Sequence, residues 1–178
     1  MILAVDVGNS NTTVGLFNGT GELLFRALLE TSRSKTRDQC AIELLGVFQL
    51  YGADACTVDG AILSSVVPPL TTIFTDAIAR LTGIPPMVVG PGIRTGLNIK
   101  AEIHNQLGSD IVASSVAAIA KYPSPIVMVD MGTATSLSLI VGSVYEGCII
   151  MPGLALALDA LSERAAALPP ISIETASP

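Results

Sequence analysis

Apolar runs broken by small polar turns organise the chain from its first residues. Ile2 to Val7 reads as a buried strand. Thr12 to Phe17 is its return across Gly8-Asn9-Ser10-Asn11, and Glu22 to Leu29, beyond an Asn18-Gly19-Thr20-Gly21 turn, is a third strand. A Rossmann unit would send a helix after its first strand, so a three-strand meander speaks against one. Thr36 then serves as N-cap for a helix to about Tyr51, with Ile42, Leu45 and Gln49 beside Leu44 and Phe48 as a mixed apolar face and Gly52 as its stop. Ala61 to Val67 is a buried strand ended by Pro68-Pro69, followed by a helix over Leu70 to Leu81 closed by Gly83 and a short strand over Met87 to Val89.

Gly90 to Gly108 has no clear period and reads as a long loop, a feature often functional in compact domains. Asp110 to Lys121 is a helix of small residues, and Tyr122-Pro123-Ser124-Pro125 a linker. The strand, turn, strand order then restarts: Ile126 to Val129, Ser136 to Val141 and Val144 to Ile150. A closing helix from Leu154 to Leu168 puts Leu154, Leu158, Leu161, Ala165 and Leu168 on one stripe.

One phrase occurs twice in this pattern. Val5-Asp6-Val7-Gly8 ends one apolar run and Val129-Asp130-Met131-Gly132 another. Each is followed by short polar residues, Asn9-Ser10-Asn11-Thr12 and Thr133-Ala134-Thr135-Ser136, and then by a second apolar run. Because the order of elements repeats with the phrase, we read a duplication: two similar lobes facing one nucleotide, in an ATP-using enzyme. The plainer alternative is that Asp-x-Gly after a strand is ordinary turn chemistry.

A tight turn with successive exposed N–H groups holds phosphate oxygens. Gly8 lets backbone approach the anion, and Asn9, Ser10 and Thr12 or Thr13 add short donors. Asp6 suits Mg²⁺, directly or through water, with turn capping as the alternative. Asp130 is the second carboxylate expected near the same phosphates. No Walker A sequence and no G-x-G-x-x-G competes. Gly108-Ser109-Asp110 opens the small-residue helix, and Asp110 suits the acceptor of a substrate hydroxyl's proton. Asp or Ser there is equally an ordinary N-cap, and a helix N-terminus favours the ionised carboxylate, an orienting acceptor more than a strong base.

Composition narrows the class. Of 178 residues half are hydrophobic, 13% are charged and none is Trp, so a core of Ala, Val, Leu and Ile is expected, with no disorder. A net charge of -6 without a Lys/Arg cluster argues against nucleic acid and leaves anions to local donors. Cys40, Cys56 and Cys148, without a C-x-x-C pair, read as buried thiols of a cytoplasmic protein. The start has no basic n-region, and no apolar stretch spans a membrane, so a soluble protein is expected. The single histidine, His104, lacks partners at metal-binding spacing, and without a G-x-S-x-G elbow a hydrolase triad is unsupported.

The opening Asp6-Val7-Gly8-Asn9-Ser10-Asn11-Thr12-Thr13-Val14-Gly15 resembles the phosphate motif of type III pantothenate kinases, of the actin/hexokinase/Hsp70 superfamily. Arg94-Thr95-Gly96-Leu97-Asn98, Gly108-Ser109-Asp110, Asp130-Met131-Gly132-Thr133-Ala134-Thr135, and Met151-Pro152-Gly153-Leu154 with Asp159-Ala160-Leu161-Ser162-Glu163-Arg164 resemble that family's other segments in order. The resemblance implies an α/β fold of two ribonuclease-H-like (actin-like ATPase) lobes with mixed sheets: residues 1–121 as the first lobe, and 122–178 as the start of a second, read as incomplete and truncated. It implies ATP-dependent phosphorylation of pantothenate, the first step of coenzyme A synthesis, with Mg²⁺. By motif match, Asp6 to Thr13 and Thr133 bind ATP, Asp130 binds a monovalent cation (potassium or ammonium), and Asp110 is the catalytic acceptor. Gly108, Ser109, Asp110, Ile111 and Ala101 fall on the substrate side. A homodimer is implied, with no nucleic-acid or membrane partner. Two positions depart from the family pattern: Ile111 stands where an Arg usually helps hold the substrate, and Ala101 where a Tyr is usual. Either Lys100 or Arg94 substitutes, or the substrate differs, or activity is weak. Two further readings therefore stand beside the kinase: a non-catalytic or regulatory nucleotide-binding relative, and a kinase for another small alcohol.

Overall fold

The computed structural model describes residues 1–90, 93–100 and 107–164. Two compact units divide the chain, Met1–Thr95 with Asn105–Ser114 and Gly96–His104 with Ser115–Pro178.

The first unit is built on a five-stranded mixed sheet in the order β3-β2-β1-β4-β5. Strands β1 (Ile2–Val7), β2 (Asn11–Phe17) and β3 (Leu23–Glu30) form the expected antiparallel meander. Strands β4 (Gly60–Ser65) and β5 (Met87–Val88) continue the sheet parallel to β1. Alternation along β1 sorts its side chains: Leu3, Val5 and Val7 are buried, whereas Ile2 and Asp6 are exposed. The buried face packs with Leu44 and Phe48 of helix α1 (Arg37–Leu50) and Leu70 and Phe74 of helix α2 (Pro68–Thr82). Each such side chain contributes about 1.5–3 kcal/mol by leaving water, which fixes the face that turns inward.

Helix α1 starts at a full capping box. The Thr36 hydroxyl accepts from the Gln39 amide at 3.3 Å, and the Gln39 side-chain oxygen accepts from the Thr36 amide at 2.8 Å. Its inner stripe is Cys40, Leu44, Val47 and Phe48, at helical spacing. The expected face differs: Leu44 and Phe48 belong to the inner stripe, but Ile42, Leu45 and Gln49 are exposed, because turns of about 100° per residue carry them away from it. Pro68 and Pro69 do not merely end a strand; they occupy the first turn of α2, where the missing N–H groups cost nothing. Gly83 closes that helix in the left-handed region, φ 76.

In the second unit β6 (Asn98–Ile99), β9 (Val144–Pro152), β8 (Ala134–Val141) and β7 (Ile126–Met131) form a four-stranded sheet in that order. Strands β7, β8 and β9 repeat the antiparallel meander, and β6 lies parallel to β9. Part of the expected long loop is thus a strand. Helix α3 (Ser109–Lys121) begins in the first unit and continues in the second. In helix α4 (Leu154–Arg164) none of the side chains is fully buried; Ala165 and Leu168 of the expected stripe lie outside the described residues.

Cys40 is buried as expected, but Cys56 and Cys148 are exposed. Cys56 sits in a short 3-10 turn (Ala55–Thr57), and Cys148 opens the part of β9 that is exposed through to Pro152.

Candidate active site

The register of the first sheet sorts the expected phosphate residues. Asp6 of β1 lies opposite Thr13 of β2 and Ser64 of β4, and cross-strand partners share a face. Thr13, Asp6 and Ser64 therefore form a row on the face away from the buried core. Thr12, Val7 and Ser65 form the next row on the opposite face. Of the two candidate threonines, Thr12 is the buried one, and its hydroxyl shares a 2.8 Å hydrogen bond with that of Thr31. Thr13 is the one that stands beside Asp6.

The turn between β1 and β2 is closed by the Gly8 amide donating to the Asn11 carbonyl at 2.9 Å. A Cβ on Gly8 would come within 2.9 Å of that same carbonyl oxygen, so the turn's curvature depends on the missing side chain. Asn9, Ser10 and Asn11 are exposed around it. The segment after β3 lies against this turn: the Thr31 amide donates to the Ser10 carbonyl at 3.0 Å, and the Arg33 guanidinium to Asn9 Oδ1 at 3.4 Å. Arg33 is a cation at this turn that sequence reading missed; no pattern marks it, because its place follows from β3 returning to that end of β2.

Asp110 reaches the same edge of the sheet through Ser109. The Ser64 hydroxyl donates to Ser109 Oγ at 3.1 Å, and the Ser65 amide donates to it at 3.0 Å. Neither Ser109 nor Asp110 is a conventional N-cap. The helix begins at Ser109, and Asp110 Oδ1 accepts from the next amide, Ile111, at 2.7 Å. A Cβ on Gly108 would run into the Asp110 carboxylate and lie 3.3 Å from Val66 Cγ1. Asp6 and Asp110 thus belong to one unit, joined through the Ser64–Ser109 bond, at the carboxyl ends of parallel strands where α/β sheets bind ligands. Ser64 and Ser65 were missed. Two adjacent hydroxyls closing an apolar strand were the available signal.

These residues fit a nucleotide with a divalent ion. The turn provides main-chain donors, and one exposed carboxylate flanked by hydroxyls provides hard oxygen ligands. Mg²⁺ keeps several waters and needs only one or two carboxylates besides phosphate. No group of three or more His, Cys, Asp or Glu side chains suited to a metal occurs among the described residues.

In the second unit Asp130 lies opposite Ser136, half-buried, and the Gly132 amide donates to the Ala134 carbonyl at 3.0 Å. The two hairpins match in plan but not in length. Three residues separate β1 from β2, and only Gly132 and Thr133 separate β7 from β8. Gly153 closes on this second turn. Its amide donates to the Thr133 carbonyl at 3.0 Å, and a Cβ there would meet the carbonyl oxygens of Gly132 and Thr133. Lys100 of the long segment pairs with Glu146 of β9. Ile111 is half-buried; Ala101 and His104 lie outside the described residues. An open groove of about 400 Å³ lies between α1 and α2, lined by Ile42, Leu45, Leu81 and the Asp38–Arg80 ion pair, and none of the expected site residues borders it.

Residues 2–178 match the family model for type III pantothenate kinase. The chain belongs to the type III pantothenate kinase family. A Listeria monocytogenes type III pantothenate kinase is 40% identical over 178 residues, which cover 99% of this chain and 68% of that protein. A type III pantothenate kinase of Geobacillus is 41% identical over 174 residues, 97% of this chain and 67% of its own length. Among solved structures, a Sinorhizobium meliloti protein described as a 2-dehydro-3-deoxygalactonokinase superposes with TM-score 0.57 at 13% identity, covering 93% of this chain and 58% of that one. At that identity the likeness establishes the fold, an α/β architecture of the actin-like ATPase and sugar-kinase class with two mixed sheets. Among the described residues no helix is long and apolar enough to cross a membrane.

Proposed function

We propose that the protein transfers the γ-phosphoryl group of ATP to pantothenate, giving 4'-phosphopantothenate and opening coenzyme A synthesis. The observation that carries this reading is the shared edge of the first sheet. There Asp6, Thr13 and Ser64 form one row, and Ser109 ties Asp110 to it, in a chain that matches the kinase family over nearly its whole length.

The main-chain amides of the Gly8–Asn11 turn hold phosphate oxygens, with Asn9, Ser10 and Thr13 as side-chain donors and Arg33 adding positive charge. Asp6 would hold Mg²⁺ through water or directly, where the ion would supply positive charge to the β- and γ-phosphates. On the substrate side Asp110 accepts the hydrogen bond of the attacking hydroxyl, aims its oxygen at the γ-phosphorus and takes up its proton as the new bond forms. As the new P–O bond forms, the bond to the β-phosphate oxygen breaks and ADP leaves. Gly108, Ser109, Ile111 and Ala101 border the acceptor. Asp130 would hold a monovalent cation, potassium or ammonium, and Thr133 would contact ATP. The working form is a cytoplasmic homodimer. Full-length protein given ATP, Mg²⁺, potassium or ammonium, and pantothenate is expected to form 4'-phosphopantothenate. No product under any cation condition removes the assignment.

One observation favours a second reading, a kinase for another small alcohol. Ile111 supplies no charge at the position where the family resemblance implies an Arg, and Lys100 is engaged with Glu146. A lost charge-assisted bond to a carboxylate weakens acceptor binding by about 1.5–3 kcal/mol. A screen of small alcohols decides: phosphorylation of another alcohol with none of pantothenate establishes the second reading.

A further inference from the structure

We propose that Ser109 is a positioning residue, which clamps the start of α3 to the end of β4 and thereby sets where the Asp110 carboxylate stands. The inference rests on the proposed role of Asp110 and adds a residue that acts through it.

A serine hydroxyl offers one hydrogen and two acceptor sites. At Ser109 all three are used. Ser64 Oγ and the Ser65 amide donate to it at 3.1 Å and 3.0 Å, and its own hydrogen goes to the Ser65 carbonyl at 3.0 Å. The hydroxyl therefore has nothing left for a substrate. Its partners are well chosen for registration. Strand β5 ends at Val88, opposite Leu63, so two residues further along β4 the main chain of Ser65 takes Ser109 in place of a strand. Ser64 and Ser65 are in turn locked in register with Asp6 and Val7 of β1. From below, the Ser65 hydroxyl accepts from Thr71 Oγ1 at 3.0 Å and from the Val67 amide at 3.2 Å, which ties the same strand end to the first turn of α2. From the other side Gly108 gives the Asp110 carboxylate the space that any side chain would take. The residue before the carboxylate is thus fixed to the strand end beside Asp6. Its position bears on the alignment of nucleophile and phosphate, where a 1 Å misplacement costs about a hundredfold in rate.

The test is a double-mutant cycle on the full-length protein, with amide hydrogen exchange beside it. Ser109→Ala is expected to lower kcat by about tenfold to a hundredfold with little change in KM for ATP, and Ser109→Thr, which keeps the hydroxyl, to recover most of that loss. In an Asp110→Asn background Ser109→Ala is expected to cost nothing more, because both changes act through one group. Unchanged kcat in Ser109→Ala, or losses that multiply in the double variant, overturns the proposal and leaves Ser109 a merely structural residue. If the wild-type protein phosphorylates no acceptor, the proposed function fails on its own and exchange decides the clamp. Ser109→Ala is then expected to expose the Ser65 amide and the first turn of α3, and retained protection there overturns it.

Discussion

Two adjacent threonines show how much one step along a strand decides. Thr13 stands beside Asp6, whereas Thr12 is turned to the core face and bonded to Thr31. Thr13→Ala is therefore expected to weaken ATP binding by about threefold to tenfold, the worth of one hydrogen bond, with stability nearly unchanged. Thr12→Ala is expected to do the reverse, lowering stability by about 1 kcal/mol or more and leaving nucleotide affinity close to wild type. Calorimetric titration with ATP and urea unfolding of both variants check this, and the opposite pattern reverses the face assignment. The sequence showed both hydroxyls but not which one stands beside Asp6, since the parity of a strand is settled only by its buried neighbours. Arg33 was illegible for a related reason: its relation to Asn9 runs through the whole of β2 and β3.

At the scale of elements, the signals that survived are those carried by local chemistry. Strand β1, the N-cap at Thr36 and the Gly83 stop rest on neighbours within a few residues, and all are in place. Features set by contacts distant in sequence did not read out: the inward stripe of α1, Pro68-Pro69 as a helix start, and β6 inside a segment taken as loop. Gly153 belongs to this second kind. Nothing around it in the chain marks a close approach, yet its missing side chain is what lets α4 begin against the Gly132-Thr133 turn. Gly153→Ala puts a Cβ 2.6 Å from the Thr133 carbonyl oxygen. It is expected to destabilise the protein by about 1–3 kcal/mol, read as a lower midpoint in thermal unfolding. Thr36→Ala, which removes a cap and no buried contact, is expected to cost about 1 kcal/mol. A Gly153→Ala protein as stable as wild type would show that the turn can move away.

For the molecule as a whole, the repeated Asp-x-Gly phrase foretold two meanders of the same plan, and both are present. It could not foretell that the second turn is one residue shorter, or that Val127, Val129 and Met131 of β7 stand exposed while their counterparts on β1 are buried. Burial also links pH to global stability. Burial pushes the Cys40 thiol above its ordinary value of 9.0, aided by Glu43 and opposed by Lys35. Above pH 9 the unfolded chain loses this proton while the folded chain keeps it, so the folded state's advantage is complete below that pH and declines above it. Urea unfolding between about pH 8 and pH 10 is expected to show that decline in the wild type, and a weaker one in Cys40→Ala.

The central claim is that Asp110, held at the Asp6 edge of the first sheet, serves phosphoryl transfer and not nucleotide binding. Pantothenate-dependent ADP release by the full-length wild type and by Asp110→Asn, with ATP affinity measured on the same preparations, tests it directly. The account predicts a fall in kcat of about a hundredfold or more, the scale of general-base assistance, with ATP affinity nearly intact. Wild-type turnover by Asp110→Asn would contradict it and leave that carboxylate a structural feature of the helix start.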